Sequence, residues 1–452
     1  MRDNSGRIIL LAIVLLVLTA AGLWLYLDPG GSSAPGLVGR MLGGGGTILD
    51  SAPDPGFGSG GSARIQGPAI LVPAALLADD KGLVLVATAA QVPGDEHFAA
   101  ARMDAAGRLD PRFGHQGLAE IAFGGGDQVA RGGLRQPDGK LLIFGHASAG
   151  GTKRNMAVAR LLADGSLDPS FDDDGLVALR FGDGIQSAEA AGLDAAGRLT
   201  LAGYAEQVIA GDTYREMAFA RLLPDGSLDP DFGQGGLLRD RVRIETQDQA
   251  VAALLVTANG ELRVGGSAMA PGAGERAPVL GQWLQGGARD SSFGLRGLAV
   301  LPASISGQVR ALADAGEGRV LAAGTRGQDG RGVFLLRLLP DGNLDASFGD
   351  AGLLSLDDAG AAPVQSLQLW PMGRQTLLLR DDGGDLEASL LTTAGDRLPG
   401  LSRHIVLGPR SGSAVAALSG TRLWTAHAAG GDPSPVVVQR FDLAGGVKAG
   451  NP

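Results

Sequence analysis

The chain has 452 residues and a formal net charge of −10, with 75 glycines, 44% hydrophobic residues, 4% aromatic residues and no cysteine. The missing cysteines exclude disulfides, thiolate metal sites, cysteine nucleophiles and lipid attachment through cysteine, and the acidic balance argues against a nucleic-acid partner, which needs a basic face. Glycines spaced between apolar runs indicate a turn-rich globular chain whose core is filled by Leu, Val and Ala.

The N-terminal segment predicts a membrane anchor. Residues 8–27 form an unbroken run of 20 uncharged, mostly apolar residues, which as a helix would span about 30 Å, the thickness of a bilayer core. Arg2 and Arg7 precede the run, so residues 1–7 should stay in the cytoplasm. We therefore expect a single-pass protein of a bacterial inner membrane with its C-terminal domain in the periplasm.

A cleaved signal peptide is the alternative interpretation of this segment, and it would make the protein secreted. Thr19-Ala-Ala21 resembles a small-residue cleavage site, but the apolar run is longer than a usual signal-peptide core, which favours the anchor. The Gly/Pro/Ser-rich residues 28–46 that follow predict a flexible tether.

One motif then recurs along residues 47–448. Its clearest copy is Arg221-Leu-Leu-Pro-Asp-Gly-Ser-Leu-Asp-Pro-Asp-Phe-Gly233, and its Asp-x-x-Phe element recurs at intervals of 55–61 residues. One further step reaches the degenerate Leu398-Pro-Gly-Leu401, so we count seven units. The phenylalanines of the Asp-x-x-Phe elements are Phe57, Phe113, Phe171, Phe232, Phe293 and Phe348.

The sequence pattern of each unit predicts four strands. A second turn, as in Gln136-Pro-Asp-Gly-Lys140, precedes a short apolar strand, and Asp-Gly between apolar runs is a strong hairpin signal. In the third unit we predict strands near Leu176–Phe181, Ala188–Asp194, Leu199–Tyr204 and Glu216–Leu223. A four-stranded antiparallel sheet repeated seven times predicts an all-β, seven-bladed β-propeller. A β-helix is the second choice, because two hairpin turns in each unit disfavour it.

The ends of the repeat region predict how the ring closes. The last unit has the strand Val436–Phe441 but ends before an Asp-x-x-Phe element, which is found instead in Ile48–Phe57. We expect this N-terminal piece to dock beside the last unit.

The repeated charged residues are interpreted as structural, because a feature present in most blades lacks the asymmetry of an active site. Each arginine guanidinium should donate hydrogen bonds to a nearby aspartate or to turn carbonyls. Gln282 and Leu390 replace the arginine in two units, and the first of these is a partial exception because Asp290 is retained. The arginines are Arg102, Arg160, Arg221, Arg337 and Arg440.

These units resemble the delta-60 repeat, a bacterial propeller-type repeat with the pattern Arg-Leu-x-x-Asp-Gly-x-Leu-Asp-x-x-Phe-Gly, over about residues 49–446. The resemblance implies a β-propeller in extracytoplasmic or surface proteins, and it brings no established activity or catalytic residues.

No set of catalytic or cofactor-binding residues is predicted. His97, His115, His146, His404 and His427 show no ligand spacing, and no known nucleophile or phosphate-loop motif occurs. The Asp172-Asp-Asp-Gly175 turn offers oxygen ligands to Ca²⁺ but lacks EF-hand spacing, which favours a solvated turn.

The sequence therefore favours a non-enzymatic binding or protein-interaction scaffold, with a protein or small ligand at a propeller face. The longest irregular connections are predicted to be Ala205–Arg215 and Ala268–Ala277, and they are the candidate recognition loops. The alternative is a metal-dependent hydrolase or lactonase-like propeller with its site at the channel mouth.

Overall fold

The computed structural model describes residues 48–49 and 52–444, apart from gaps at 68, 80, 93, 149–152, 210, 243–247, 270–275, 303–304, 328, 357–361, 385, 397–402, 406, 408–409 and 430–434. The chain divides into two compact units, Met1–Ile48 and Leu49–Pro452, and the second contains the repeats. The predicted cytoplasmic residues, membrane helix and tether lie outside the described residues. Within the described ranges, no helix has the length and apolar character needed to cross a membrane.

The described chain consists of short β-strands joined by turns. The first fourteen are β1 (Ile48–Leu49), β2 (Ser62–Ile65), β3 (Ile70–Ala78), β4 (Gly82–Ala90), β5 (His97–Asp104), β6 (Leu118–Ile121), β7 (Gln128–Arg135), β8 (Leu141–Ala147), β9 (Asn155–Leu161), β10 (Leu176–Leu179), β11 (Gln186–Leu193), β12 (Leu199–Ile209), β13 (Asp212–Leu222) and β14 (Leu237–Asp240). The remainder are β15 (Asp248–Val256), β16 (Leu262–Met269), β17 (Ala277–Trp283), β18 (Gly307–Asp314), β19 (Val320–Arg326), β20 (Gly332–Leu338), β21 (Leu353–Leu356), β22 (Ser366–Met372), β23 (Gln375–Asp381), β24 (Leu386–Thr392), β25 (Arg403–Ile405), β26 (Arg410–Ser419), β27 (Arg422–Ala429) and β28 (Val436–Ala444).

The strands form antiparallel groups with one common plan. Four sheets each contain four strands in chain order: β3 to β6, β7 to β10, β18 to β21 and β22 to β25. A seven-stranded sheet contains β11 to β14 and β15 to β17, joined by one parallel pair between Arg215 and Asp248. In the last sheet, β26, β27 and β28 are completed by β2.

The groups are arranged in a ring. The first strand of each group contacts the first strand of the next, in the order β3, β7, β11, β15, β18, β22 and β26, and β26 contacts β3 again. A closed cycle of antiparallel groups is the architecture of a β-propeller. The part of the chain that the structure describes is therefore an all-β propeller, as the repeats predict.

The sequence units and the sheets are offset by one strand, which corrects one prediction. Leu176–Leu179 does not pair with the other strands of the third unit; it is the fourth strand beside β9, with Leu176 opposite Ala159. The chain turns after Phe171 to run back along β9, and only then enters the next group. Each sheet therefore takes its outer strand from the following sequence unit.

The same offset closes the ring, and the predicted docking of the N-terminal piece is confirmed. Arg64 and Ile65 of β2 pair with Val437 and Val436 of β28. Ahead of them, the Asp54 amide donates to the Arg440 carbonyl at 2.7 Å. The four-residue strand Ser62–Ile65 lies just beyond the segment that we expected to dock.

Apolar layers between neighbouring groups form the core. Val86 and Phe98 of one group pack with Ile143 and Ala157 of the next in one buried cluster. The closing cluster joins Ile65 and Val438 to Leu85. Small alanines on the inner positions let the sheets approach closely, because a propeller narrows toward its axis.

The repeated arginines brace the corners between groups, which confirms the structural interpretation. Arg160 donates from Nε to Asp168 Oδ2 at 2.7 Å, from Nη2 to Ser170 Oγ at 2.9 Å, and from Nη1 to the Pro224 carbonyl of the next unit. Its guanidinium also lies 4.5 Å from the centre of the Phe171 ring. One side chain therefore ties its own aspartate and phenylalanine to the neighbouring turn.

Three units vary this corner. One has Leu390 in place of the arginine, and the other two keep the aspartate. In the unit with Gln282, the glutamine amide donates to Asp290 Oδ2 at 2.8 Å and so takes over the arginine's bond. In the first corner, Asp110 is instead bound by Arg112 Nε at 3.0 Å, while Arg102 keeps only the carbonyl bond to Ala163, at 2.5 Å, and its ring contact.

Candidate functional site

Five of the first strands contain a register shift at an equivalent place. Each shift leaves one extra residue without a partner on the second strand: Ala74, Arg131, Glu189, Ala252 and Arg310. These are β-bulges, which bend a strand and redirect a side chain, and they are enriched next to functional sites. We call these five positions the bulge residues.

Four bulge residues line one cavity of about 480 Å³, which we call the bulge cavity. They are Arg131, Glu189, Ala252 and Arg310, and the rest of the lining reaches as far as Ser366 on β22. The fold is repeated here but the chemistry is not, because equivalent positions carry a cation, an anion, a methyl group and a cation. This is the asymmetry that a specific site needs.

Carboxylates partly neutralise the arginines at the bulge cavity. Arg131 Nε lies 3.5 Å from Glu189 Oε2. Arg215 donates to Glu206 Oε1 at 2.9 Å and lies 4.1 Å from the centre of the Tyr204 ring.

A second ion pair holds the opposite wall of the cavity. Arg276 is paired with Asp248 and also donates from Nη1 to Ser267 Oγ at 3.1 Å. These contacts fix the direction of the Arg276 guanidinium.

Arg310 differs from these arginines. Its only hydrogen bond to a described residue is a long one, 3.5 Å from Nε to Thr325 Oγ1, and no described carboxylate pairs with it. Burial, and secondly the nearby Arg276 charge, lower the pKa of Arg310. The cavity wall thus holds a half-buried cation without a counter-ion among the described residues.

A layer of polar residues on the second strands supports this wall. Tyr204, Ser267 and Thr325 each pair with the residue two positions before a bulge residue. In three successive groups, this register position therefore contacts a cavity arginine: Tyr204 lies under Arg215, Ser267 accepts from Arg276, and Thr325 accepts from Arg310.

The bulge cavity lies toward the strand ends opposite the repeat corners. In β8 and β9, the corner end is where Leu141 pairs with Leu161, and the far end is where Ala147 pairs with Asn155. The far ends carry the connections that vary most between units. The repeat-corner turns thus lie on one face of the propeller, and the connections that vary between units lie on the other.

The two predicted recognition loops reach this face, although one is not an irregular loop. Ala205–Arg215 is mostly an extended hairpin in which Ile209 pairs with Asp212, so that part of the prediction is wrong. Arg215 at its end lines the cavity. Of Ala268–Ala277, residues 270–275 lie outside the described residues, and Arg276 lines the cavity.

Larger clefts exist elsewhere but are built from repeat-corner residues. One of these, about 720 Å³, surrounds Arg102 and Asp110 at the corner between the first two groups. Lys140, which lies 3.1 Å from Asp168, stands one residue before Leu141, and Leu141 pairs with Leu161 as Leu83 pairs with Met103 in the first group. The first group therefore has Gly82 at the register position of Lys140. The missing side chain accounts for this space.

Among the described side chains, the histidines and the acidic turn singled out in the sequence do not come together in one metal-binding group. Burial above all lowers the pKa of His146 and of His427 to about 4 in each case, so both are neutral at neutral pH. Asp172 has its pKa raised by burial and then by Asp174, Asp173 and Asp225. In the part of the chain that the structure describes, no group of three His, Asp or Glu residues could hold a metal ion.

Sequence reasoning missed the bulge residues, although a signal for them exists. In four groups the bulge residue stands ten positions before the first residue of the second strand: Leu141, Leu199, Leu262 and Val320. Aligning the units on the hairpin turn would therefore have placed Arg131, Glu189 and Arg310 in one column. The need for a bulge follows only from the pairing of the two strands.

The family model that matches this chain is described as a domain of unknown function, DUF5122, β-propeller. The matched residues are 136–171, 197–232 and 317–348. Each segment starts at or beside a hairpin turn and ends on a repeat phenylalanine, so the match covers the corner architecture. The bulge residues Arg131, Glu189 and Arg310 all lie outside it. The delta-60 name remains a resemblance.

Solved structures that are similar to this chain have low sequence identity. A protein of unknown function from Dyadobacter fermentans is 12% identical over 86% of this chain and 100% of that chain, with a TM-score of 0.44. An ulvan lyase of polysaccharide lyase family PL25 is 11% identical over 86% and 95%, with a TM-score of 0.49. The Dos1 propeller is 11% identical over 80% and 75%, with a TM-score of 0.43.

A search among curated proteins matched none. The matched family model and the ring of antiparallel groups agree on the architecture, a β-propeller, and the matched segments are similar to a domain of unknown function.

Proposed function

We propose that residues 47–448 form a seven-bladed β-propeller that acts as a binding module, with its ligand site in the bulge cavity. The observation that carries the proposal is the chemical variation of the bulge residues on an otherwise repeated frame. Arg131, Glu189, Ala252 and Arg310 occupy one structural position and line one cavity. Repetition suits a scaffold, and local variation at a concave face suits recognition.

We propose further that residues 8–27 anchor this module in the bacterial inner membrane with the propeller on the periplasmic side. The support is the apolar run and its preceding arginines. Fractionation of cells expressing the full chain tests this step. The anchor predicts a full-length protein in the membrane fraction that added protease degrades in spheroplasts. A shortened, freely soluble periplasmic protein would show that the segment is a cleaved signal.

Site-specific crosslinking tests the location of binding. A photo-reactive benzoylphenylalanine replaces Gln308, which lines the bulge cavity, in the full chain in living cells. The matched control carries the same group in place of Ala196, which is exposed in the turn between β11 and β12 on the corner face.

We expect a discrete adduct from position 308 and none from position 196. No adduct from position 308, or equal labelling of both positions, would contradict binding at this face.

A further inference from the structure

The bulge cavity has a net positive lining in a protein whose formal charge is −10. Arg131, Arg215, Arg276 and Arg310 line it, against one lining carboxylate, Glu189. Counting the adjacent Glu206 and Asp248, three carboxylates face four guanidinium groups. The local charge is therefore opposite in sign to that of the whole molecule.

The unbalanced charge is located on Arg310. The other three arginines each contact a carboxylate, whereas Arg310 has only the long bond to Thr325 among the described residues. A half-buried charge is stable when it is paired or hydrogen-bonded. The site is thus incomplete in a way that an incoming anion would correct.

The remaining lining indicates the character of that anion. Gln308, Gln365 and Ser366 offer neutral donors and acceptors beside the arginine. Small-molecule sites have volumes of roughly 300–1,000 Å³, and the bulge cavity, at about 480 Å³, falls within this range. A planar guanidinium matches a carboxylate in a two-bond geometry.

We propose that the bulge cavity binds a small hydroxylated carboxylate of monosaccharide size, with its carboxylate on Arg310 and its hydroxyl groups on Gln365 and Ser366. This inference rests on the proposed binding function and specifies its ligand class. A guanidinium–carboxylate contact in a partly buried site is charge-assisted, so its loss should weaken binding by about tenfold or more.

Isothermal titration calorimetry of the full chain in detergent micelles, at low ionic strength, tests the ligand class. The probe is D-glucuronate, with D-glucose as the neutral match and inorganic phosphate and sulfate as anions without the hydroxylated ring. We expect binding of glucuronate, weaker binding of the inorganic anions and none of glucose. Binding should weaken with added salt, because screening reduces charge pairing.

Substitutions then test the assignment to Arg310. Arg310→Gln should reduce the affinity for glucuronate about tenfold or more. Arg310→Lys should reduce this affinity less, because a lysine keeps the charge but lacks the planar two-bond geometry of a guanidinium. Arg64→Gln is the control, since Arg64 is an exposed arginine on β2 outside the cavity, and it should bind as wild type. Thermal unfolding checks that each variant is folded.

The outcomes separate the two proposals. Equal binding of glucose and glucuronate, or phosphate binding without glucuronate binding, would overturn the ligand class and leave a binding cavity. An adduct at position 308 with no binding of any probe would likewise overturn the anion inference alone. Absence of both adduct and binding would overturn the binding function as well.

Discussion

Arg440 and Asp54 lie near opposite ends of the repeat region, and the arginine Nε donates to the aspartate Oδ2 at 2.7 Å. In the other corners that have this bond, as between Arg160 and Asp168, the partners are eight residues apart in the chain. The same arginine–aspartate pair therefore closes the ring when its two residues come from different ends of the repeat region. We call the contact between Arg440 and Asp54 the clasp. Arg440 also donates to the Ala105 carbonyl at 2.6 Å, which extends the clasp to the first group.

We predict that Asp54→Ala lowers the melting temperature of the full chain by several degrees. It leaves the mostly buried Arg440 without its carboxylate, and it loosens the strand that seals the ring. Differential scanning calorimetry provides the measurement. Asp110→Ala is the matched control at the same repeat position, where the bonded Arg112 is exposed, so a much smaller shift is expected. Equal shifts would refute the special role of the clasp.

A second prediction concerns the glycine of the corner turn. Gly226 has φ +92°, and a Cβ added there would lie 2.8 Å from the Asp172 amide nitrogen and 3.0 Å from the Phe171 ring. Gly139 has φ +89° with open space around it. Both alanine variants suffer backbone strain of about 1–2 kcal/mol, and only Gly226→Ala adds overpacking, worth roughly 1–3 kcal/mol.

Urea unfolding of the two glycine variants measures the difference. The Gly226→Ala midpoint should fall well below that of Gly139→Ala. Equal urea midpoints would mean that a Cβ at position 226 is not crowded by the Phe171 ring.

The corner arginine gives a third prediction. Arg221 is 1% exposed and its partner Asp229 is 2% exposed, so Arg221→Met leaves a buried carboxylate without its main partner. The expected loss of unfolding free energy is about 3 kcal/mol, at the low end for a buried pair because Arg198 lies 3.8 Å from the same carboxylate.

Gln282→Met is the comparison for Arg221→Met, because it removes only hydrogen bonds of a neutral amide, one donated to Asp290 and one accepted from Arg263. It should cost about 1–2 kcal/mol. Denaturant titrations that gave the reverse order would contradict the brace described for Arg221.

These corners show what the sequence alone could reveal. The Asp-Gly turn, the arginine and the phenylalanine lie within a dozen residues, so their packing is local and their periodicity exposes the fold. The strand Ser62–Ile65 was missed because its four residues become a strand only against β28, far along the chain. The bulge at Arg310 was missed because a bulge is a property of two paired strands. The sheet that Leu176–Leu179 joins was wrongly predicted because it is decided by pairing with β9, in the preceding unit.

A fourth prediction is a dependence of stability on pH. His146 lies buried near Asp127 and Arg154, and His427 near Arg410 and Asp381; the pKa of each falls to about 4 in the folded chain. The unfolded chain takes up these protons near pH 6.5. Between about pH 6.5 and 4 the unfolded state binds more protons, so stability falls as the pH falls through this window.

Melting curves from pH 7 to pH 4 test this dependence. His146→Thr gives β8 a threonine at the register position that Thr325 occupies in β19. The melting temperature of this variant should decrease less between pH 7 and pH 4 than that of the wild type. His115→Thr, at an exposed position, should leave the pH profile as in wild type. An unchanged slope in His146→Thr would exclude His146 as a source of the dependence.

In this proposal, a repeated frame of corners carries a variable site on the other face of the propeller. A crystal structure of the full chain with D-glucuronate tests it most directly. The account predicts seven blades and a carboxylate within about 3 Å of the Arg310 guanidinium. Glucuronate bound away from Arg310, or a bulge cavity left empty at saturating concentration, would contradict it.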